Sequence, residues 1–423
     1  MTLTELAQHA NSVNVTEIRL NKIMPTRREF LLMASGAALS TVTAGQSPST
    51  ARPFKVQIAR TEIDRILRRV KDTRLPARFT AADSRYGVSW DYMKALTQYW
   101  STRYDWRKAE TQLNRFPQFL ARVGEFDIHF YHVRGRGRSP KPIILTHGWP
   151  GSAFEFLEVI GPLSYPENGE DAFDVVVPSL PGFGFSSKPK DKPVGPVTTA
   201  KLWHELMTSV LGYKRYGVQG GDWGSVVSTQ LARQFPESIS GLHLNSVQAA
   251  VAPAGQRTPE EESWNAAATA FRNTEVDYFN IQQRKPMTVS LALSDNPVGT
   301  AAWIVEKFKA WSDSGDDLDK TFTKDQVLTN TMIYLITGSE ATGLWFYRGT
   351  LEDGAGTTGR VTVPTGVAAF PREMIVLAPP RSAIERSFNL VHYTKMPRGG
   401  HFAALEQPGL FVEDLRLFFR ALR

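Results

Sequence analysis

Gly220-Gly221-Asp222-Trp223-Gly224-Ser225 is the stretch whose reading decides the fold. Before it, Arg215-Tyr216-Gly217-Val218-Gln219 has the make-up of a short buried strand. After it, Val226 to Phe235 has apolar residues at helical spacing and stops before Pro236. Strand, glycine-rich turn, helix is the setting of a nucleophile elbow, G-x-Nu-x-G. Glycines on both sides permit the tight turn, which holds the central side chain at the mouth of a site. Here that residue is Asp222. The hexapeptide alone fits an Asp N-cap on an ordinary helix equally well, so its neighbours decide.

Upstream, Lys141 to Thr146 is a continuous apolar strand of the kind found in a sheet covered on both faces. It runs into His147-Gly148-Trp149-Pro150-Gly151-Ser152 and a helix from Ala153 to Ile160. Glycines and a proline at such a junction let the backbone approach a reacting group, and the N–H of Trp149 becomes a candidate oxyanion donor. Phe173 to Pro178 is the next strand, followed by the turn-rich loop Ser179 to Ser187 and a helix from Thr199 to Leu211. Ile239 to Leu244 is the strand after the elbow. This alternation predicts a right-handed, mostly parallel α/β sheet, with ligands at the carboxyl ends of its strands.

From Val247 to Val363 the strand rhythm gives way to helical patterns at Glu261–Arg272, Glu275–Gln283, Thr300–Trp311 and Lys324–Thr337. A helical cap over an apolar pocket is expected there. Strand signals return at Gly366–Phe370 and Leu390–Tyr393. Glu373 follows the first of these, and His401 lies in the glycine-flexed loop Pro397 to Pro408, before a last helix from Gly409 to Leu422. The order Asp222, Glu373, His401 matches nucleophile, acid, histidine; Glu385 and Glu406 compete with Glu373 for the acid. Toward the N-terminus, Arg60 to Arg74 reads as a docked amphipathic helix with a solvated basic face rather than a nucleic-acid patch. Asp91–Trp100 and Lys108–Leu120, broken at Pro117, are further helix candidates. Phe126 to Val133 alternates like a strand, which puts His129 and His132 on opposite faces and argues against a shared metal.

The three motifs around His147, Gly182 and Asp222, taken in order, resemble an epoxide hydrolase of the α/β-hydrolase fold. Residues 52–138 resemble the N-terminal extension of its microsomal and juvenile-hormone branch, through Asp72-Thr73-Arg74-Leu75-Pro76 and Asp127-Ile128-His129-Phe130. The resemblance spans residues 52–423. It implies a linker and extension over 45–138, a core over 139–246 and 364–423, and a cap over 247–363. It also implies that two cap tyrosines, Tyr278 and Tyr347, assist ring opening, and that Trp149 and Trp223 supply oxyanion N–H groups. Packing aromatics such as Tyr334 or Trp345 are the alternative reading of those tyrosines.

An aspartate suits this chemistry. It is a poor acylating partner but a competent nucleophile toward a strained alkyl carbon, and the chain has no G-x-S-x-G for a conventional esterase. A haloalkane dehalogenase and a non-catalytic binding protein of the same fold are the rivals. The expected substrate is a lipophilic epoxide, with no cofactor and no metal. Gly182-Phe183-Gly184 lacks the third glycine of a dinucleotide site. The 423 residues contain no cysteine, which excludes disulfides and thiol catalysis, and carry a dispersed net charge of +7.

At the start, Thr26-Arg27-Arg28-Glu29-Phe30-Leu31-Leu32 resembles a twin-arginine export signal. The apolar stretch from Phe30 to Val42 is too short and polar for a membrane span, and Val42-Thr43-Ala44 offers small residues for cleavage. Residues 1–44 are therefore expected to be a signal peptide that engages the export machinery through Arg27 and Arg28. Met24 is an alternative start, and the mature protein is expected to be periplasmic or extracellular.

Overall fold

Hydrophobic burial organises the chain around one twisted sheet. The computed structural model describes residues 50–423 except 79–85, 168–170, 355, 357, 374–376 and 423, so Arg27, Arg28 and the expected signal peptide lie outside the described residues. The strands are β1 (Arg52–Phe54), β2 (Gln118–Val123), β3 (Phe126–Val133), β4 (Lys141–Thr146), β5 (Phe173–Pro178), β6 (Tyr216–Gly220), β7 (Ile239–Leu244), β8 (Val361–Ala369) and β9 (Phe388–Lys395). Their order across the sheet is β1-β2-β3-β5-β4-β6-β7-β8-β9. The pairs from β1 to β5 are antiparallel and those from β5 to β9 are parallel. Every residue of β5 is buried, as expected of a strand with helices over both faces. The extension thus continues the sheet through β1, β2 and β3.

The helices, in chain order, are α1 (Arg60–Asp72), α2 (Trp90–Thr102), α3 (Trp106–Leu113), α4 (Leu157–Ser164), α5 (Pro196–Glu205), α6 (Asp222–Gln234), α7 (Pro259–Glu275), α8 (Asp277–Arg284), α9 (Pro286–Leu293), α10 (Pro297–Trp311), α11 (Lys324–Thr337), α12 (Ser339–Glu352), α13 (Arg381–Ser387), α14 (Ala403–Glu406) and α15 (Pro408–Ala421). Helices α7 to α12 form the insertion between β7 and β8. Helix α1 buries Ile63, Ile66 and Val70 and packs on α2 and α10, which leaves its basic face to solvent. None of the described helices is long and apolar enough to cross a membrane.

Several boundaries differ from expectation. The helix expected over Lys108–Leu120 ends at Leu113, and Leu120 belongs to β2, where pairing with β3 around Gly124 overrides local helical spacing. The helix after the elbow starts at Asp222 rather than Val226. The segment Thr199–Leu211 is α5 followed by a π turn over Leu206–Val210. Strand β8 begins at Val361, inside the expected cap, and tolerates Pro364 at an irregularity in its pairing with β9. His129 is buried between Ser179 and Gln118, at 2.9 Å from each, and His132 meets Tyr213.

The register positions the site. Thr146 of β4 pairs with Gly220 of β6, and Gly220 with Leu244 of β7. The loops that leave β4 and β6 therefore emerge side by side at the carboxyl edge of the sheet.

Candidate active site

The elbow is tight because two backbones touch. A Cβ on Gly224 would stand 1.8 Å from the Thr146 carbonyl oxygen, so helix α6 begins directly against the end of β4. The turn holds Asp222 at a φ of 49°, in the left-handed region that a non-glycine residue adopts only when its surroundings impose it. That conformation turns the carboxylate toward the β4 loop. Asp222 Oδ1 accepts the Trp149 N–H at 2.8 Å. Trp223 is the second residue of α6, so its N–H belongs to the first turn, which has no carbonyl partner within the helix. It adds to the positive helix end facing Asp222.

The β4 loop is oriented by its carbonyls. Asn330 Nδ2 donates to the Pro150 carbonyl at 2.7 Å, and the Tyr334 hydroxyl donates to the Gly151 carbonyl at 2.7 Å. Ser152 Oγ donates to Asn330 Oδ1 at 2.9 Å. Asn330 and Tyr334 stand four apart on α11, on one face. His147 ties the same loop to the next one. Its Nε2 accepts the Leu180 N–H at 3.1 Å, so its Nδ1 carries the proton and faces the Gly148 carbonyl. Burial holds this imidazole at about 4, below its usual range.

His401 lies beyond β9, with its N–H on the Trp311 carbonyl at 2.9 Å. Its Nδ1 stands 2.9 and 3.0 Å from the two Glu373 oxygens, and its Nε2 is 3.5 Å from Asp222 Oδ2. Burial opposes a charge on His401, but Glu373 and Asp222 outweigh it and hold the imidazole well above its usual range. The backbone bridge between Arg372 and Gly400 sets the acid loop beside the histidine loop. The competing acids lie elsewhere. Glu385 is exposed and pairs with Arg381 at 2.6 Å. Glu406 accepts the Asp313 and Phe402 N–H groups at 2.8 and 2.9 Å and braces the histidine loop.

Tyr278 and Tyr347 come down from α8 and α12. The Tyr278 ring stacks on Trp149 at 5.5 Å, the Tyr347 ring stands edge-on to Trp223 at 4.8 Å, and the two tyrosine rings are 6.0 Å apart. Burial, reinforced by the nearby Asp222 charge, holds both phenols well above their usual range, so they remain protonated donors. Asp222, Glu373, His401, Trp149, Trp223, Tyr278 and Tyr347 thus gather at one point, whereas Glu385 and the two strand histidines do not.

The family comparisons agree. The epoxide hydrolase N terminus family matches residues 51–156, and the alpha/beta hydrolase fold family matches residues 141–354. The chain is 36% identical to epoxide hydrolase 1 of Sus scrofa over 414 residues, covering 90% of each protein. The chain belongs to the epoxide hydrolase family. The crystal structure of juvenile hormone epoxide hydrolase from the silkworm Bombyx mori superposes with a TM-score of 0.80 at 29% identity, covering 89% of this chain and 95% of the other. The Aspergillus niger epoxide hydrolase gives 0.79 at 31% identity, covering 89% and 97%.

For this epoxide hydrolase the sequence concealed several site residues. Tyr334 has the same sequence signature as a packing aromatic, yet its hydroxyl holds the Gly151 carbonyl. Trp345, by contrast, does pack, with its indole N–H on Ser290. Asn330 carried a signal only as the residue four before Tyr334. Trp311, fully buried 5.2 Å from the His401 ring and 5.1 Å from the Tyr278 ring, was visible only as the end of an apolar helix.

Proposed function

We propose that this enzyme opens a lipophilic epoxide through a covalent ester on Asp222. The observation that carries the reading is the line Trp149 N–H, Asp222, His401, Glu373 described above. Oδ1 is engaged by a donor, so Oδ2 attacks an epoxide carbon and the carbon–oxygen bond of the ring breaks. Tyr278 and Tyr347 hydrogen-bond the departing oxygen. Tryptophan and phenylalanine rings around the tyrosines favour an apolar substituent.

Proton balance supports the same cycle. The free enzyme holds an Asp222 carboxylate beside an imidazolium. As Asp222 is neutralised as an ester, one of the two charges that kept His401 protonated is removed; the departing oxygen takes a proton from a tyrosine hydroxyl, and the proton that His401 gives up restores that hydroxyl. The neutral His401 then takes a proton from water as the water oxygen bonds to the Asp222 carbonyl carbon. The Trp149 and Trp223 N–H groups receive the oxyanion; loss of one such donor costs about 10²–10³ in rate. Collapse releases the diol and restores carboxylate and imidazolium together.

Mass spectrometry tests this reading on an aromatic epoxide. His401→Gln is expected to accumulate an adduct on the Asp222 peptide, and Asp222→Ala to form neither adduct nor diol. Diol formation by Asp222→Ala at the wild-type rate would refute the ester.

The Arg27-Arg28 pair supports a second proposal, that residues 1–44 direct the enzyme through twin-arginine export. Conversion of both arginines to lysine is expected to leave the activity in the cytoplasmic fraction; unchanged export would reject it.

A further inference from the structure

Asp222 has two approaches. The tyrosines occupy the cap side. On the other side lies a cavity of about 20 Å³, walled by Glu155, Gly221, Asp222, Asn245, His401 and Phe402 among others; neither tyrosine lines it. That volume matches one water molecule, which needs roughly 10–15 Å³ by the same measure.

Glu155 reaches this cavity by an unusual route. It sits in the 3-10 turn Ala153–Phe156, and its side chain folds back over the preceding loop. A Cβ on Gly151 would stand 1.3 Å from Glu155 Oε1, so the carboxyl occupies the space that a side chain at 151 would take. No role in the ester cycle above has been given to it. We propose, resting on that cycle, that Glu155 is a positioning residue for the hydrolytic step. Its carboxyl holds the attacking water in the one-water cavity between Asp222 and His401.

The water donates one hydrogen to His401 Nε2 and one to a Glu155 oxygen, which leaves a lone pair facing the Asp222 carbonyl carbon. The first proton passes to His401 as the oxygen–carbon bond forms. Glu155 exchanges no proton and keeps its own throughout. Burial pushes its carboxyl up to about 8, with Asp222 and Glu406 acting in the same direction and His401 and the Ser152 N–H opposing. Tyr334, the remaining titratable group beside it, is a neutral phenol. A neutral Glu155 accepts from the water without competing with His401 for its proton. A separate water side also lets hydrolysis begin while the opened substrate still fills the cap side.

Single-turnover kinetics on the full chain separate ester formation from ester hydrolysis. Glu155→Ala is expected to slow hydrolysis by about tenfold or more and leave ester formation within about threefold, so that the ester accumulates. Glu155→Gln keeps a carbonyl acceptor and is expected to restore hydrolysis to within about threefold. It should also lose the basic limb that wild-type hydrolysis shows at or somewhat below pH 8, where Glu155 ionises. Equal slowing of both steps in Glu155→Ala, a Gln variant as slow as Ala, or a Gln variant that keeps the basic limb would overturn the assignment. The Gln comparison stands even where the Ala variant does not fold. Absence of an ester in His401→Gln would instead refute the cycle itself, which makes the two failures distinguishable.

Discussion

Asp222 and Gly148 show how little room the proposed nucleophile has. A Cβ on Gly148 would stand 2.1 Å from Asp222 Oδ1, inside contact distance. Gly148→Ala must therefore push the carboxylate off the Trp149 N–H. Ester formation is expected to fall by about 10² or more, with a thermal midpoint lowered only modestly because the clash sits at the site rather than in the core. Stopped-flow measurement with a melting curve checks both halves; unaltered ester formation would mean that the carboxylate has another productive position. The proposed nucleophile and histidine were marked by glycines around Asp222 and before His401, although the Asp222 hexapeptide alone fitted a helix cap. Glu373 was set apart from Glu385 and Glu406 only by the family resemblance of Pro371-Arg372-Glu373. Glu155 had no such mark. It is one glutamate at the start of a helix, and only the folded backbone shows that it turns back over Gly151.

At the scale of elements, strands with continuous apolar runs were read well because burial on both faces leaves a one-dimensional trace. The cap was read less well. Helices α9 and α12 escaped notice because Pro286–Leu293 is almost uniformly apolar and Ser339–Glu352 is buried on several sides, so neither carries a clear stripe. Strand β2 was missed because its partner β3 determines it. The bonds from α11 to the β4 loop were equally invisible, since they join residues 180 or more apart. Their weight is testable. Tyr334→Phe strips the Gly151 carbonyl of its donor inside the protein, which costs about 1–3 kcal/mol. Denaturant midpoints are expected to fall accordingly, with a lower kcat, while Phe at Trp345 is expected to leave kcat near wild type.

For the whole molecule, buried titratable groups set the response to pH. Burial holds His129 at about 3 and His132 and His147 at about 4, so the unfolded chain takes up protons that the folded chain refuses below the ordinary histidine value. Their contribution is complete above about 6.5 and is lost as pH falls. Burial raises Glu155 to about 8 and Glu406 to about 7, which contributes stability at low pH that is lost as pH rises past the ordinary glutamate value. His401, also raised, loses its contribution above about 6.5. Each proton changes stability by roughly 1.4 kcal/mol per pH unit. Between about 4.5 and 6.5 the three histidines outweigh the two glutamates by about one proton, and above about 6.5 the glutamates and His401 act unopposed. Maximum stability is expected near pH 6 to 6.5, with a fall on both sides; melting curves from pH 3.5 to 9 that peak above pH 8 would contradict the balance.

The two hydrogen bonds from α11 tie the cap to the loop that carries Trp149, a proposed oxyanion donor. Any displacement of α11 would take Asn330 and Tyr334 away from the Pro150 and Gly151 carbonyls. The peptide that aims Trp149 N–H at Asp222 would then lose its anchor. By this coupling the proposed nucleophile would be armed only while α11 stays seated on the β4 loop.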